Sequence, residues 1–495
     1  MASNGETSLD ANGLIRGAWL GTVDGKSWCE SAWSHSPCVN GPGAAGRRPW
    51  GWLIDRRVFF AILFLTFVTA AQGENWPHWR GPHSSSVSRE RGLPTQWSDA
   101  ENIAWKAPVR GLGISSPIVW GERVFVTSQI GSGESRPGPR LYQAGDSTAA
   151  GERRLGSEAA ARASGGVIFL VSAFDRTSGR KLWEYELPAE GDLTSVHEKH
   201  NLASASPVTD GERVYAWFGT GQIAALDMTG KLVWKRNLAA AYGAFDINWG
   251  HGSSPAVYKD TVILVCYHPG ASYLLGLDSE TGNDRWKADQ EEGLISYSTP
   301  MAIETGGEAE VVVNSSAGVS GHSVATGERL WHVPGTSRFP IPSPLQQDGL
   351  IYTSRGYRSS PYMAIRPGGR GNVADSHVVW RAGSGGPYVS SLVLYDGLIY
   401  MAGDVGVVTA ADARTGERVW QQRVGGVYTA SPVAADGKIY LLSEGGETVV
   451  LAAGRTPRIL SRNKLDARQL ASPAISGGQL FIRTDDALYA VGNED

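Results

Sequence analysis

The stretch T-A-S-P-V-A-A-D-G-K-I-Y-L-L-S, Thr429–Ser443, decides the fold. An apolar run reaches Ser-Pro, a second follows, Asp-Gly turns the chain, and a third alternating run leaves it: a β-hairpin. The same phrase recurs at Ser115–Ser128, Ala205–Trp217, Ser253–Leu264, Ser298–Val313, Pro342–Ser354, Ser390–Met401 and Ala471–Arg483. Self-similarity at a period of about 40 to 50 residues is the mark of a repeat architecture.

Working outward, each hairpin is followed by a second phrase, a strand ending in Asp, a Thr-Gly turn and a strand closing on Trp. It stands at Ala173–Trp183, Ala225–Trp234, Gly276–Trp286, Ser323–Trp331 and Ala411–Trp420. Asp accepts hydrogen bonds from the turn's own amides, Gly supplies positive φ, and Trp covers the seam to a neighbouring sheet. The aspartates Asp175, Asp227, Asp278 and Asp412 recur with the turn and read as scaffold. Each unit therefore has four strands, A to D, and four-stranded units repeated radially form a β-propeller. The last unit stops at Leu488–Val491 with no D strand, while Asn102–Val109 (NIAWKAPV) supplies a Trp at the right distance before the first hairpin. Trp105 thus completes the final blade, and pairing of the terminal strands removes the open sheet edges. The expectation is an all-β, eight-bladed propeller. Seven blades is the alternative, because unit five (Pro367-Gly368-Gly369, closing on Trp380) and unit seven (Ile459, Leu460 in place of Trp) are degenerate.

The 495 residues carry a net charge of −4, 19% charged residues and 63 glycines. This suits many short strands joined by tight turns, and the lack of a basic field argues against a nucleic-acid partner. Of three cysteines, Cys29 and Cys38 precede an apolar run and Cys266 lies alone in a strand, which supports core packing and neither a disulfide framework nor a metal cluster.

Residues 1–55 show no periodicity and read as an over-extended N-terminus. Residues 56–73 read as a signal peptide: Arg56-Arg57, then the apolar run Val58–Ala71, then Ala71-Gln72-Gly73. An uncleaved anchor is the other reading of this run. The expected location is therefore periplasmic or extracellular, with no stable membrane span after cleavage. Residues 74–104 form a Trp/Pro-rich lead-in whose Trp76, Trp79 and Trp97 pin it to the side or floor of the ring. The propeller occupies 105–492, with an insertion at 129–166 between strands B and C of the first blade.

The Asp/Thr-Gly/Trp phrase, the Ser-Pro hairpin and the eightfold count resemble the pyrroloquinoline-quinone (PQQ)-repeat, quinoprotein-like propellers. The resemblance covers Trp105–Gly492, and Asn75–Pro82 (NWPHWRGP) is similar to secreted PQQ-like proteins of planctomycete type. That family holds PQQ-dependent dehydrogenases and also non-catalytic members such as the outer-membrane assembly lipoprotein BamB. The enzymes commonly hold the quinone under two adjacent cysteines, with a Ca²⁺ bound by Glu, Asn and Asp. This chain has no Cys-Cys, no Cys-x-x-Cys-His haem site and no lipidated cysteine after its apolar run.

In such a ring the D–A and B–C loops share one face and the Asp-Gly and Thr-Gly turns the other. Variable loops on a rigid scaffold are where function concentrates. Candidate ligand-binding residues are His197, His200, Asn201, Asp246, Asn248, Trp249 and His251, joined by Arg338, Tyr357 and Arg358 from later loops. No metal site is assigned to the His-x-x-His spacing, which is weak evidence for Zn²⁺ on irregular loops. The function expected is a binding or scaffolding module for a protein, glycan or small ligand. The alternative is a PQQ- and Ca²⁺-dependent dehydrogenase of alcohols or sugars with an atypical site.

Overall fold

The computed structural model describes residues 73–131, 135–136, 166–191, 193–245, 247–357 and 361–492. The signal-like run, most of the 129–166 insertion, Asp246 and Arg358 lie outside these residues. Eight antiparallel sheets built from four-stranded blades close into a ring, which settles the blade count at eight. Blade 1, for example, comprises Ile118–Trp120, Arg123–Ile130, Ile168–Asp175 and Lys181–Pro188, paired in that order. Blade 8 comprises Ala474–Ser476, Gln479–Arg483 and Ala487–Val491, and its fourth strand is Ile103–Pro108 from the other end of the chain. Trp105 pairs with Ala490 and Pro108 with Ala487, the closure expected from the half-blades at the two termini.

The Ser of the Ser-Pro phrase closes the ring at its inner rim. Pro has no N–H and biases the preceding residue toward extended backbone, which leaves that residue's amide to bond sideways. Ser116 N–H donates to Ser206 Oγ at 2.9 Å, Ser206 to Ser254 at 2.9 Å, Ser254 to Thr299 Oγ1 at 3.1 Å and Thr299 to Ser343 at 2.9 Å. Ser343 donates to Ser391 at 2.9 Å, Ser391 to Ser431 at 2.8 Å, Ser431 to Ser472 at 2.9 Å, and Ser472 back to Ser116 at 3.0 Å. Every hydroxyl in this loop is buried, and each satisfies an amide of the blade before it.

On the opposite face the D-strand indoles stitch blade to blade. Trp105, Trp183, Trp234, Trp286, Trp380 and Trp420 donate Nε1–H to turn carbonyls of Arg176, Met228, Ser279, Val324, Ala413 and Gly454 in the next blade, at 2.7–3.0 Å. The turn glycine is required at these contacts: at Gly179 (φ +68°) a Cβ would fall 2.5 Å from the Trp105 ring.

The two degenerate units are complete blades whose irregularities have local causes. In unit five, Gly371–Asn372 pairs in parallel with the D strand Arg329–Pro334 of blade 4 and covers that edge. Trp331 there turns inward and donates to the buried Glu310 carboxylate at 2.7 Å. Unit seven lacks its Trp because blade 8, made from two chain ends, has no C–D turn to cover. The lead-in takes that place: Tyr440 Oη donates to Pro94 O at 3.0 Å and Trp97 N–H to Asn463 Oδ1 at 3.0 Å.

The lead-in also plugs the axis from the turn face. Trp76 exchanges both backbone bonds with Val119 at 2.8 Å, Thr209 N–H donates to Pro77 O at 3.0 Å, and Ala434 bonds Ser86 and Ser88 at 2.9 and 3.0 Å. Arg80 Nη2 reaches Leu392 O at 2.5 Å. These partners lie at the innermost strands of blades 1, 2, 7 and 6, whose free edges would otherwise remain unpaired.

Candidate functional site

With the turn face plugged, the loop face holds the open mouth of the ring. The loop between blades 1 and 2 brings His197, whose ring meets Trp249 from the next loop edge-on at 5.6 Å. His197 N–H donates to Trp249 O at 3.1 Å, and Trp249 sits at φ +77°, a left-handed conformation that an indole adopts only where its surroundings hold it. The insertion reaches the same place: Ser135–Arg136 pairs in parallel with Val196–His197. Exposed Asn248 lends its carbonyl to the Tyr297 hydroxyl, and Tyr297 N–H bonds Pro340 O at 3.2 Å, so consecutive loops are tied into a belt.

The remaining candidates of this group lie deeper. Asn201 is buried and serves the backbone, donating to Leu112 O at 3.1 Å and accepting from Ala203 N–H at 2.9 Å. His251 is buried against Trp217 (4.2 Å) and Phe245 (5.5 Å), with Nε2 at 3.1 Å from Val265 O. Burial pushes its pKa down to about 4. His200 is held to about 3 by burial, then by repulsion from His197 and His251; its Nδ1 is shut off from solvent without a hydrogen-bond partner among the described residues. At pH 7 both rings are neutral. Arg338 and Tyr357 stand apart from these residues, on a cleft of about 400 Å³ lined also by Thr336, Ser337 and Gly356.

Sequence reasoning missed the charged side of the mouth. Lys199 Nζ pairs with Glu444 at 2.9 Å, joining the loop after blade 1 to blade 7, and Thr429 Oγ1 donates to the same carboxylate at 2.5 Å. Asp404, in the B–C loop of blade 6, is pushed up to about 6 by burial. Apart from Thr429, which opens a Ser-Pro phrase, these residues belong to no repeat phrase, and they lie far apart in the chain, so only the ring brings them together.

The arrangement can bind through aromatic faces, hydroxyls and ion pairs at one mouth. Among the described residues no three His, Cys, Asp or Glu side chains converge as metal ligands. Cys266, the free cysteine of the described residues, is buried, and burial pushes its thiol far up. No helix among the described residues is long and apolar enough to cross a membrane.

A closed eight-bladed ring with one face stitched and plugged and the other varied defines a repeat propeller of the PQQ-like class. The family model described as outer membrane protein assembly factor BamB matches residues 85–216, 169–358 and 404–495, and the chain belongs to this PQQ-repeat family. Among curated proteins it is similar to the 1-butanol dehydrogenase (quinone) of Thauera butanivorans, 29% identical over 161 residues (29% of this chain, 24% of that protein). It is also similar to the quinoprotein ethanol dehydrogenase of Pseudomonas aeruginosa, 27% identical over 160 residues (29% of this chain, 24% of that protein). The chain thus matches about a quarter of the length of these relatives. Among solved structures, BamB from Moraxella catarrhalis superposes with a TM-score of 0.50 at 17% identity, over 67% of this chain and 92% of its own. The quinohemoprotein alcohol dehydrogenase of Comamonas testosteroni gives 0.59 at 13% identity, over 86% and 82%. At these identities the likeness is one of fold.

Proposed function

We propose that this protein is an exported binding propeller, periplasmic or extracellular, that engages a protein, glycan or small ligand through its loop face. The observation that carries this reading is the contrast between the ring's two ends: the lead-in pairs with the inner strands at the turn face, while His197, Trp249, Tyr297, Lys199 and Glu444 converge from different blades on the other. Rigid blades holding aromatic and polar loop residues at one mouth suit recognition. Export rests on the signal-like run at 56–73 and on kinship with a family described by an outer-membrane assembly factor.

The quinoprotein dehydrogenase relatives favour a second reading, PQQ-dependent oxidation of an alcohol or sugar. The lack of the adjacent cysteine pair that commonly covers the quinone in such enzymes argues against it. One experiment separates the two: addition of PQQ with Ca²⁺ to the purified chain, read by quinone fluorescence quenching and a dye-linked oxidation assay, beside a thermal-shift ligand screen of wild type and Trp249→Ala. Turnover would replace the binding reading with the enzyme. Shifts seen in wild type and lost in Trp249→Ala would support binding at the mouth.

A further inference from the structure

Blade 5 buries a positive charge that the scaffold does not neutralise. Arg355, 3% exposed, donates to Ser315 O at 2.6 Å, Gly335 O at 2.8 Å and the Asn314 side-chain oxygen, all neutral acceptors. No carboxylate pairs with it among the described residues, and its Nε is enclosed without a partner. Burial, then the Arg381 guanidinium, lowers its pKa to about 10, so the charge persists at neutral pH. An unpaired buried cation is costly, and its field extends into any cleft beside it.

Such a cleft is present. Ser337, whose hydroxyl donates to Arg355 O at 2.6 Å, and Gly356, the next residue in the chain, both line the 400 Å³ cleft described above. At its rim, exposed Arg338 lies 5.4 Å over the Phe339 ring and makes no ion pair among the described residues. Phe339 meets Tyr357 edge-on at 5.0 Å, and Tyr357 meets Tyr388 at 5.5 Å. Two arginines without carboxylate partners among the described residues, Arg338 at the rim and the buried Arg355 beside the cleft, therefore accompany a row of aromatic rings.

We propose that the blade 5 cleft is the docking site for an acidic peptide segment of a partner protein, a carboxylate set on Arg338 and an apolar residue placed against Phe339 and Tyr357. This rests on the binding-module reading and gives it a partner class. Charge complementarity selects the acidic character. The cleft opens broadly to solvent, which suits an extended segment better than a ligand needing enclosure. Arg, Tyr and Phe are also the side chains that anchor protein interfaces.

The test is fluorescence anisotropy on the full chain with three labelled probes: the peptide Glu-Glu-Phe-Glu-Glu, its Gln-Gln-Phe-Gln-Gln counterpart, and a uronic-acid oligosaccharide. The acidic peptide is expected to bind, to weaken as salt is raised, and to lose about tenfold in affinity in Arg338→Glu. Because Arg338 is exposed, the variant should melt like wild type. Equal binding of the glutamine peptide, no binding of the acidic peptide, or preference for the saccharide would each overturn the proposal. The wider reading would survive such a failure if the Trp249-dependent thermal shifts were still observed.

Discussion

On the turn face, six indoles perform one task in six places, each donating to a carbonyl of the following blade, five of them over a glycine that leaves room for the ring. Among the described side chains around the loop-face mouth, the contacts differ from blade to blade: His197 meets Trp249, Asn248 meets Tyr297, Lys199 crosses to Glu444, and Phe339 meets Tyr357. The repeated contacts stabilise the ring and are interchangeable. The single contacts shape the mouth, and none can stand in for another.

The largest break in this contrast should come from removing residues 74–98. That deletion strips backbone hydrogen bonds from three inner strands and takes Trp76 and Trp97 out of the apolar cluster that joins blades 7, 8 and 1. We expect loss of cooperative unfolding in denaturant titration; a wild-type transition would mean that the plug is dispensable. Next, Trp420→Ala should cost about 3–5 kcal/mol, typical of a buried aromatic. Trp249→Ala on the loop face should cost under about 1 kcal/mol, since its ring is half-exposed. Equal losses from the two tryptophans would erase the division of labour.

Ser431→Ala cuts the hydroxyl ring once and leaves the Ser391 N–H unpaired in a buried site, for an expected loss of about 1–3 kcal/mol. Hydrogen exchange should show the effect as faster exchange at Ser391, and protection unchanged there would count against the ring. The smallest effect is on pH dependence. His200 and His251 have folded pKa values, about 3 and about 4, below the ordinary histidine value. The folded state thus disfavours their protonation, and stability present above about pH 6.5 is lost as pH falls toward these values. His251→Gln should melt with a shallower acid slope between pH 6.5 and 4 than wild type.

Much of this was legible beforehand because it repeats. The Asp-Gly hairpin, the Thr-Gly-Trp phrase and the half-blade at each terminus each obey local rules of turn chemistry and burial, and counting them gave eight blades and the closing role of Trp105. The seam at unit seven was legible only as a missing Trp; that Pro94 and Trp97 occupy the place depended on chain ends meeting in space. The Ser of Ser-Pro reads as punctuation between strands, and its bond to the next blade exists only after the ring closes. His251 and Asn201 look like site residues in one dimension, yet both bond the scaffold backbone.

The sequence by itself determined the blade and the manner of closure and put the count at eight with seven as the alternative, because these follow from interactions within about 50 residues repeated along the chain. The tertiary structure alone decided which end of the ring is plugged, that eight hydroxyls form one closed circuit, and that Arg338 and Arg355 lack carboxylate partners among the described residues. Those features join residues hundreds of positions apart, and distance along the chain carries no information about proximity around a ring.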